Sequence, residues 1–474
     1  MTAVLLANIG HRDLLQGGQK IEPAREEGKR ILEGLDAVKA HLSTPLLWPA
    51  VELLASKHKE LQLVLWGTDQ PEGTASQHRA GDTIYIAEVV ARLLAERSKQ
   101  IAEKDRAKGR LEQHWVKKIN GNPSLYDDML AFFRGQMRAP WTQEAEVCYV
   151  YPVGGTPAAN MGLMLAAIER FGDRCITLYL PEGESRPVEM DLGGQMRRSM
   201  ARRMAEERLT AHSFSAAIPL LREAGAPAWT VELALYASHR YHFDFDSAAA
   251  ALERAKSACA DEWRVRASCE ELRRGLLRLR DRDPEALMAE LYHNARLAYE
   301  REEFAAFLGI LFRFQEGALR YAVEVLYPGV PTEVYDEDTA NAFQRALQER
   351  PWLLACIRGK HLNPDKPNRW VLQAMLQCAW DGQAPQEVRE RSESFRLLYE
   401  RLGRLDSLAA LRNKSIVAHG FDGVSRERIE AEYRKRNPEG SPLEDMVAAL
   451  EILAVSPGED PFRAAAKLAL EGLR

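Results

Sequence analysis

"EVCYVYPVGGTPAAN", residues 146–160, reads as a buried strand, a double-glycine turn and the opening of a helix. The run 146–153 is short, apolar and rich in β-formers, as a strand covered on both faces requires. Gly154 and Gly155 allow close backbone approach, Thr156 is a good N-cap, and Pro157 then takes the first helical position. Three further runs of the same character are "AVLLANI" (3–9), "LQLVLWG" (61–67) and "CITLYL" (175–180). Helical stretches at 24–41, 83–103 and 157–170 lie between and after them. Continuous apolar strands alternating with helices predict a mainly parallel sheet with helices on both faces.

Beyond "LPEGESRPVEMDLGG" (180–194) the pattern changes. That stretch carries Pro, Gly and several charges, and suits either an inter-domain connection or an excursion of the first domain. From about 195 onward the periodicity is almost entirely helical, with no fixed-period repeat. Asp283 and Pro284 form a cap and first helical residue that open a further unit. The predicted fold class is multidomain, α/β plus all-α: an N-terminal Rossmann-like domain (1–190), a helical connector (191–280) and a C-terminal α-helical domain (281–474). A chain of 474 residues exceeds what one core supports.

The balance of 64 Lys plus Arg against 69 Asp plus Glu gives a net charge of −5, which excludes a general polyanion binder but leaves room for a local basic groove. Cysteines stand at 148, 175, 259, 269, 356 and 378 without a CxxC pair. That spacing predicts neither a disulfide nor a zinc site, and a reducing cytoplasm as the location. "MTAVLLANIGHRD" has no basic segment before its apolar run and reads as a first strand, not a signal peptide. No apolar stretch reaches the roughly 20 residues of a membrane helix, so no membrane association is expected.

Open parallel sheets bind ligands beyond the carboxyl ends of their strands. Three such loops have suitable chemistry: "NIGHRD" (8–13), "GTDQ" (67–70) and "PVGGTPAAN" (152–160). The last presents a helix N-terminus after a glycine turn, which favours an anion. Alone it is equally a tight strand-to-helix turn, and there is no G-x-G-x-x-G or P-loop pattern. Together, the three loops fit a phosphate-bearing ligand.

A second candidate lies in "LGRLDSLAALRNKSIVAHG" (402–420). Leu405 and Leu408 set a helical stripe that continues to Arg412, Ile416 and His419, with Gly420 as the helix C′ residue. The stripe calls for apolar residues and finds an arginine and a histidine, seven positions and about 10 Å apart along one helix. A capping histidine and a surface arginine are one explanation. Metal-free RNA cleavage is the other. A histidine moves protons to and from the 2′-hydroxyl and the leaving oxygen, and a guanidinium holds the phosphate. Asn413, Lys414 and Ser415 are either substrate contacts or solvated helix residues. "SHRYHFDFD" (238–246) lacks metal-ligand spacing and reads as a solvated helix boundary. "RGKHLNPDKPNR" (358–369) is a solvated loop or an RNA guide.

"RNKSIVAH" (412–419) matches the R-x4–6-H signature of HEPN ribonucleases, and "ELYHNARLAYEREEFAAFLGILFRFQE" (290–316) is similar to the early helices of such domains. "ANIGHRD" (7–13) and "PVGGTPAANMG" (152–162) resemble the ligand loops of CARF sensors of cyclic oligoadenylate. Together the chain resembles the CRISPR-associated CARF–HEPN ribonucleases of type III systems. The resemblance implies a homodimer activated by cyclic oligoadenylate; rings of four or six adenylates both suit a two-fold site, four being slightly preferred. It implies cleavage of single-stranded RNA, not DNA, without metal or cofactor, leaving a 2′,3′-cyclic phosphate. A type III effector would supply the messenger without binding stably. Arg412 and His419 take the catalytic roles. Asn8, Gly10, His11, Arg12, Asp13, Gly154, Gly155 and Thr156 map onto the ligand loops. Pro157 stands where CARF loops often carry a basic residue. The alternative is a non-catalytic nucleotide sensor joined to a helical protein-interaction module.

Overall fold

The structure is a computed structural model that describes residues 2–105, 109–181, 183–259 and 262–474. The chain divides into two compact units, Met1–Ser199 and Met200–Arg474.

The first unit is built on six strands: β1 (Thr2–Asn8), β2 (Glu60–Thr68), β3 (Arg110–Ile119), β4 (Val147–Tyr151), β5 (Cys175–Tyr179) and β6 (Val188–Met190). Their order is β3-β2-β1-β4-β5-β6, parallel throughout except for the antiparallel β5–β6 pair. Register pairs Leu5 with Leu63 on one side and with Tyr149 on the other. Side chains alternate between faces. Ala3, Leu5, Leu63 and Tyr149 therefore pack with helix Ile84–Lys104, while Val4, Leu6, Val64 and Cys148 pack with helices Tyr126–Gln136 and Pro157–Phe171. Both faces being buried is why these strands read as unbroken apolar runs.

Two differences from the sequence reading have local causes. The helix expected over 24–41 breaks at Gly34 into Ala24–Glu33, Leu35–Val38 and a 3-10 turn. β3 escaped notice because "RLEQHWVKKI" is an edge strand, mostly exposed and without an apolar run. Within the stretch 180–194, β6 closes the sheet edge, so this segment belongs in part to the first unit; Glu182 lies outside the described residues.

The second unit contains two helical cores. One gathers Phe214, Trp229, Tyr236, Leu252 and Leu276 with Phe462 and Ala469 of the C-terminal helix Pro461–Glu471. The other surrounds helix Phe304–Leu326, with Phe307, Leu311 and Phe314 against Leu372, Leu398, Leu405 and Tyr433. Asp283 caps helix Pro284–Glu300 as its sequence predicts, its carboxylate accepting the Ala286 N–H at 2.9 Å. "SHRYHFDFD" is the boundary between helices Ala228–Tyr241 and Phe245–Ala258, with Asp244 as the cap of the second. Arg240 within it is buried, not solvated, and is bonded to Glu290 and Tyr236. In the helical stretch that follows, residues 260 and 261 lie outside the described part.

The expectation of no disulfide is overturned. Cys356 and Cys378, 22 residues apart, are bonded between helices Pro351–Gly359 and Arg369–Cys378. A pairing across two packed helices leaves no short-range spacing to read.

Candidate functional site

At the carboxyl end of β1 the chain turns sharply through Gly10. The Gly10 N–H donates to Asp13 Oδ2 at 2.6 Å. Asp13 is buried, and that burial pushes its carboxyl up to about 7 against the opposing effect of the Gly10 bond. Two glycines let the loop after β4 come into contact. A Cβ on Gly154 would stand 2.1 Å from Asp13 Oδ2 and 2.4 Å from the Asn8 carbonyl oxygen. Gly155 has φ +76°, and a Cβ there would meet Asn8 Cβ at 2.8 Å. Asn8 is buried and donates from Nδ2 to Asn160 Oδ1 at 2.9 Å, tying β1 to helix Pro157–Phe171. Thr156 caps that helix, accepting the Ala159 N–H at 3.2 Å, and its hydroxyl donates to the Pro123 carbonyl.

Above these loops opens a cleft of about 710 Å³. Of the expected ligand residues, Gly10, His11, Gly155 and Thr156 line it. Asn8, Asp13 and Gly154 lie beneath as buried supports, and Arg12 is exposed outside the lining. His11 Nε2 is 2.9 Å from the Gly81 carbonyl oxygen, which fixes the ring at the rim. The lining also includes Thr68 and Gln70 of the "GTDQ" loop that the sequence marks as a ligand loop, and the segment 120–124, which it does not mark. The segment 120–124 follows β3 and was lost with that strand; its "NGNPS" turn composition was the available signal. The charges beside the cleft are paired: Arg25 bridges Asp69 and Asp82 at 2.8 Å each, and Lys118 meets Asp69 at 2.8 Å.

In the second unit, helix Phe395–Leu405 passes through a 3-10 turn into helix Ala409–Lys414. Leu405, Leu408 and Leu411 are buried, so the stripe holds to that point. It does not continue. The helix ends at Lys414, and Ser415 is extended, with φ −91° and ψ 172°. Ser415 Oγ donates to the Arg412 carbonyl at 2.8 Å and accepts the Val417 N–H at 3.3 Å. Such local side-chain bonds compete with helix continuation. The chain then folds back: the His419 N–H reaches the Asn413 carbonyl at 3.3 Å, and that of Asp422 the Lys414 carbonyl at 2.8 Å. Gly420 is needed here not as a helix C′ residue but for close approach, since a Cβ would lie 2.0 Å from the Lys414 oxygen.

Arg412 and His419 therefore occupy a helix end and the turn after it, not one helical face. Ile416, expected on a buried stripe, is 74% exposed. Arg412 is half-buried, with its guanidinium 4.9 Å above the Phe312 ring and its Nε donating to Asn413 Oδ1 at 3.2 Å. His419 is exposed, as are Asn413 and Lys414, whereas Ser415 is buried in the turn. Phe312, which orients Arg412, was not singled out from sequence. The turn also presents Phe421, 95% exposed.

No family model matches this chain, and no curated protein matches it. Among solved structures, Enterococcus italicus Csm6 bound to cyclic hexa-2′-fluoro-hexa-dAMP aligns with a TM-score of 0.55. The alignment covers 100% of this chain and 99% of that one at 14% identity. The fold is that of Csm6. A Csm6 fold agrees with the CARF-plus-HEPN architecture expected from the sequence: an N-terminal parallel α/β sheet followed by helices. Among the described residues, no helix is long and apolar enough to cross a membrane.

Proposed function

We propose that this protein is a single-strand-specific endoribonuclease of type III CRISPR defence, switched on by cyclic oligoadenylate. The observation that carries the reading is the solvent-facing Arg412–His419 turn within a Csm6 fold. His419 removes the proton of the attacking 2′-hydroxyl or supplies one to the departing 5′-oxygen. Arg412, steadied by Phe312 and Asn413, holds the phosphate. The product is a 2′,3′-cyclic phosphate, and the guanidinium supplies the positive charge without a metal. Asn413 and Lys414 contact the RNA, and Ser415 shapes the turn.

The activator binds in the cleft between the Gly10 and Gly155 loops, whose close backbone approach suits a phosphodiester. The Enterococcus italicus protein was solved with a six-membered cyclic analogue, and rings of four or six repeats both match a two-fold axis. The working division is a sensor (1–190), a connector (191–280) and a nuclease (281–474). Exposed Ile416 and Phe421 beside His419 support a second copy covering this turn, so the active unit is a cytoplasmic homodimer.

The test is cleavage of a fluorescent single-stranded RNA with and without cyclic tetra- and hexa-adenylate. Cleavage stimulated by either ring, and lost in His419→Ala, is expected. Ligand binding without any cleavage would instead make the chain a non-catalytic sensor.

A further inference from the structure

The six cysteines share no CxxC spacing, and paired members are separated by 10 to 27 residues, yet each lies beside another. Cys148 on β4 and Cys175 on β5 are register partners, both buried in one core. Cys259, which ends helix Phe245–Ala258, donates from Sγ to the Lys256 carbonyl at 3.5 Å and lies beside Cys269 of helix Trp263–Arg280, both within a second core. Cys356 and Cys378 are already bonded, in a third. A buried residue touches only about 6–12 others, so complete pairing among six scattered cysteines is not expected of packing alone. Register partners on neighbouring strands point to the same face about 4.8 Å apart, inside the Cα span of about 4.4–6.8 Å that a disulfide bridges.

We infer that Cys148–Cys175 and Cys259–Cys269 are two further oxidisable dithiol sites, each of which a low-molecular-weight disulfide converts to an intrachain bond. One cysteine thiolate attacks glutathione disulfide, forms a mixed disulfide and releases one glutathione. The neighbouring thiolate attacks the cysteine sulfur of that mixed disulfide, closes the bond and releases the second glutathione. The two cysteine protons end on the two glutathiones, and glutathione disulfide takes up the two electrons. Burial pushes the Cys148 and Cys259 thiols up and that of Cys269 up to about 12, so exchange in the closed protein is slow and needs local opening. Each bond lies inside a single core. Oxidation therefore stiffens each core internally and places no tether between cores.

The full-length chain is incubated with glutathione disulfide in sub-denaturing urea, sampled over time, alkylated in guanidinium and mapped without reduction. The expected result is loss of the four thiols at 148, 175, 259 and 269, with the peptides linked 148–175 and 259–269. In Cys148→Ser, Cys175 should be found as the free thiol or as an unresolved glutathione adduct, never linked within the chain, while the 259–269 link still forms. In the wild-type chain, four alkylated cysteines, glutathione adducts that never close, or crossed links such as Cys148 to Cys259 would each overturn the inference. The wild-type map decides even where the variant fails to fold.

Discussion

Gly420 shows how much one missing carbon decides at the proposed nuclease turn. A methyl group there would sit 2.0 Å from the Lys414 carbonyl oxygen, so Gly420→Ala must displace the turn that carries His419. We expect this variant to keep its helical circular dichroism and lose most RNA cleavage, and wild-type cleavage would refute the close-approach argument. His419→Ala should lower cleavage by about 10²–10⁴-fold, the usual worth of a positioned general acid–base, and leave oligoadenylate binding unchanged by calorimetry. Asp13 supplies a pH test in the other unit. Its carboxyl rises from 3.8 unfolded to about 7 folded, so the native state holds the extra proton between those values. The contribution of Asp13 to stability is then most favourable below about pH 4, falls as pH rises toward 7, and carries the full penalty above. Asp13→Asn keeps an acceptor for the Gly10 N–H and never ionises. It should raise stability at pH 8 by about 1–4 kcal/mol and flatten that pH dependence in urea titrations.

Among the elements, the contact between helices Ala228–Tyr241 and Pro284–Glu300 is set by a buried charge pair. Arg240 and Glu290 meet at 2.6 Å, with the Tyr236 hydroxyl 2.5 Å from the same guanidinium. Taking one partner away strands a charge in a low-dielectric core. Glu290→Ala should therefore cost about 3–5 kcal/mol by denaturant unfolding, whereas Arg240→Met combined with Glu290→Leu should come closer to neutral. A small effect of the single change would show that water reaches the pair. Helix Pro157–Phe171 is fixed differently, by the Thr156 cap and by the glycines before it, which bring its N-terminus against β1. Gly155→Trp should abolish activation by oligoadenylate while leaving unstimulated cleavage, because it fills the loop contact and not the nuclease turn.

For the whole molecule, the exposed apolar residues around His419 set the expectation. Phe421 at 95% and Ile416 at 74% exposure are costly in a free chain and reasonable under a second copy. Sedimentation should show a dimer. Adding a large excess of His419→Ala chain to wild type should lower activity per wild-type chain by roughly tenfold if each centre draws on both copies of an isologous interface. Unchanged activity, or an active monomer, would remove the composite centre. Cleavage should also persist in EDTA; loss of activity in chelator, restored by magnesium or manganese, would overturn the metal-free chemistry.

The strand runs 3–9, 61–67, 146–153 and 175–180 were legible because central parallel strands are buried on both faces and must be apolar throughout. The caps at Thr156 and Asp283 were legible because capping is a matter of a few adjacent residues. Arg412 and His419 stood out as chemistry where leucine was due, and the sequence by itself determined their spacing along the chain. Their arrangement in space was decided elsewhere. Ser415 bonding to the Arg412 carbonyl, and Gly420 closing on Lys414, turned an expected helical face into a helix end and a turn. β3 and the cleft wall at 120–124 were hidden because an edge strand half in solvent carries no apolar run. Neither the Cys356–Cys378 bond nor the pairing of the other four cysteines could be read from spacing, since each depends on which strands and helices pack together. Local order follows from neighbours in sequence. The site's geometry and the cysteine partners follow from neighbours in space, which only the tertiary structure assigns.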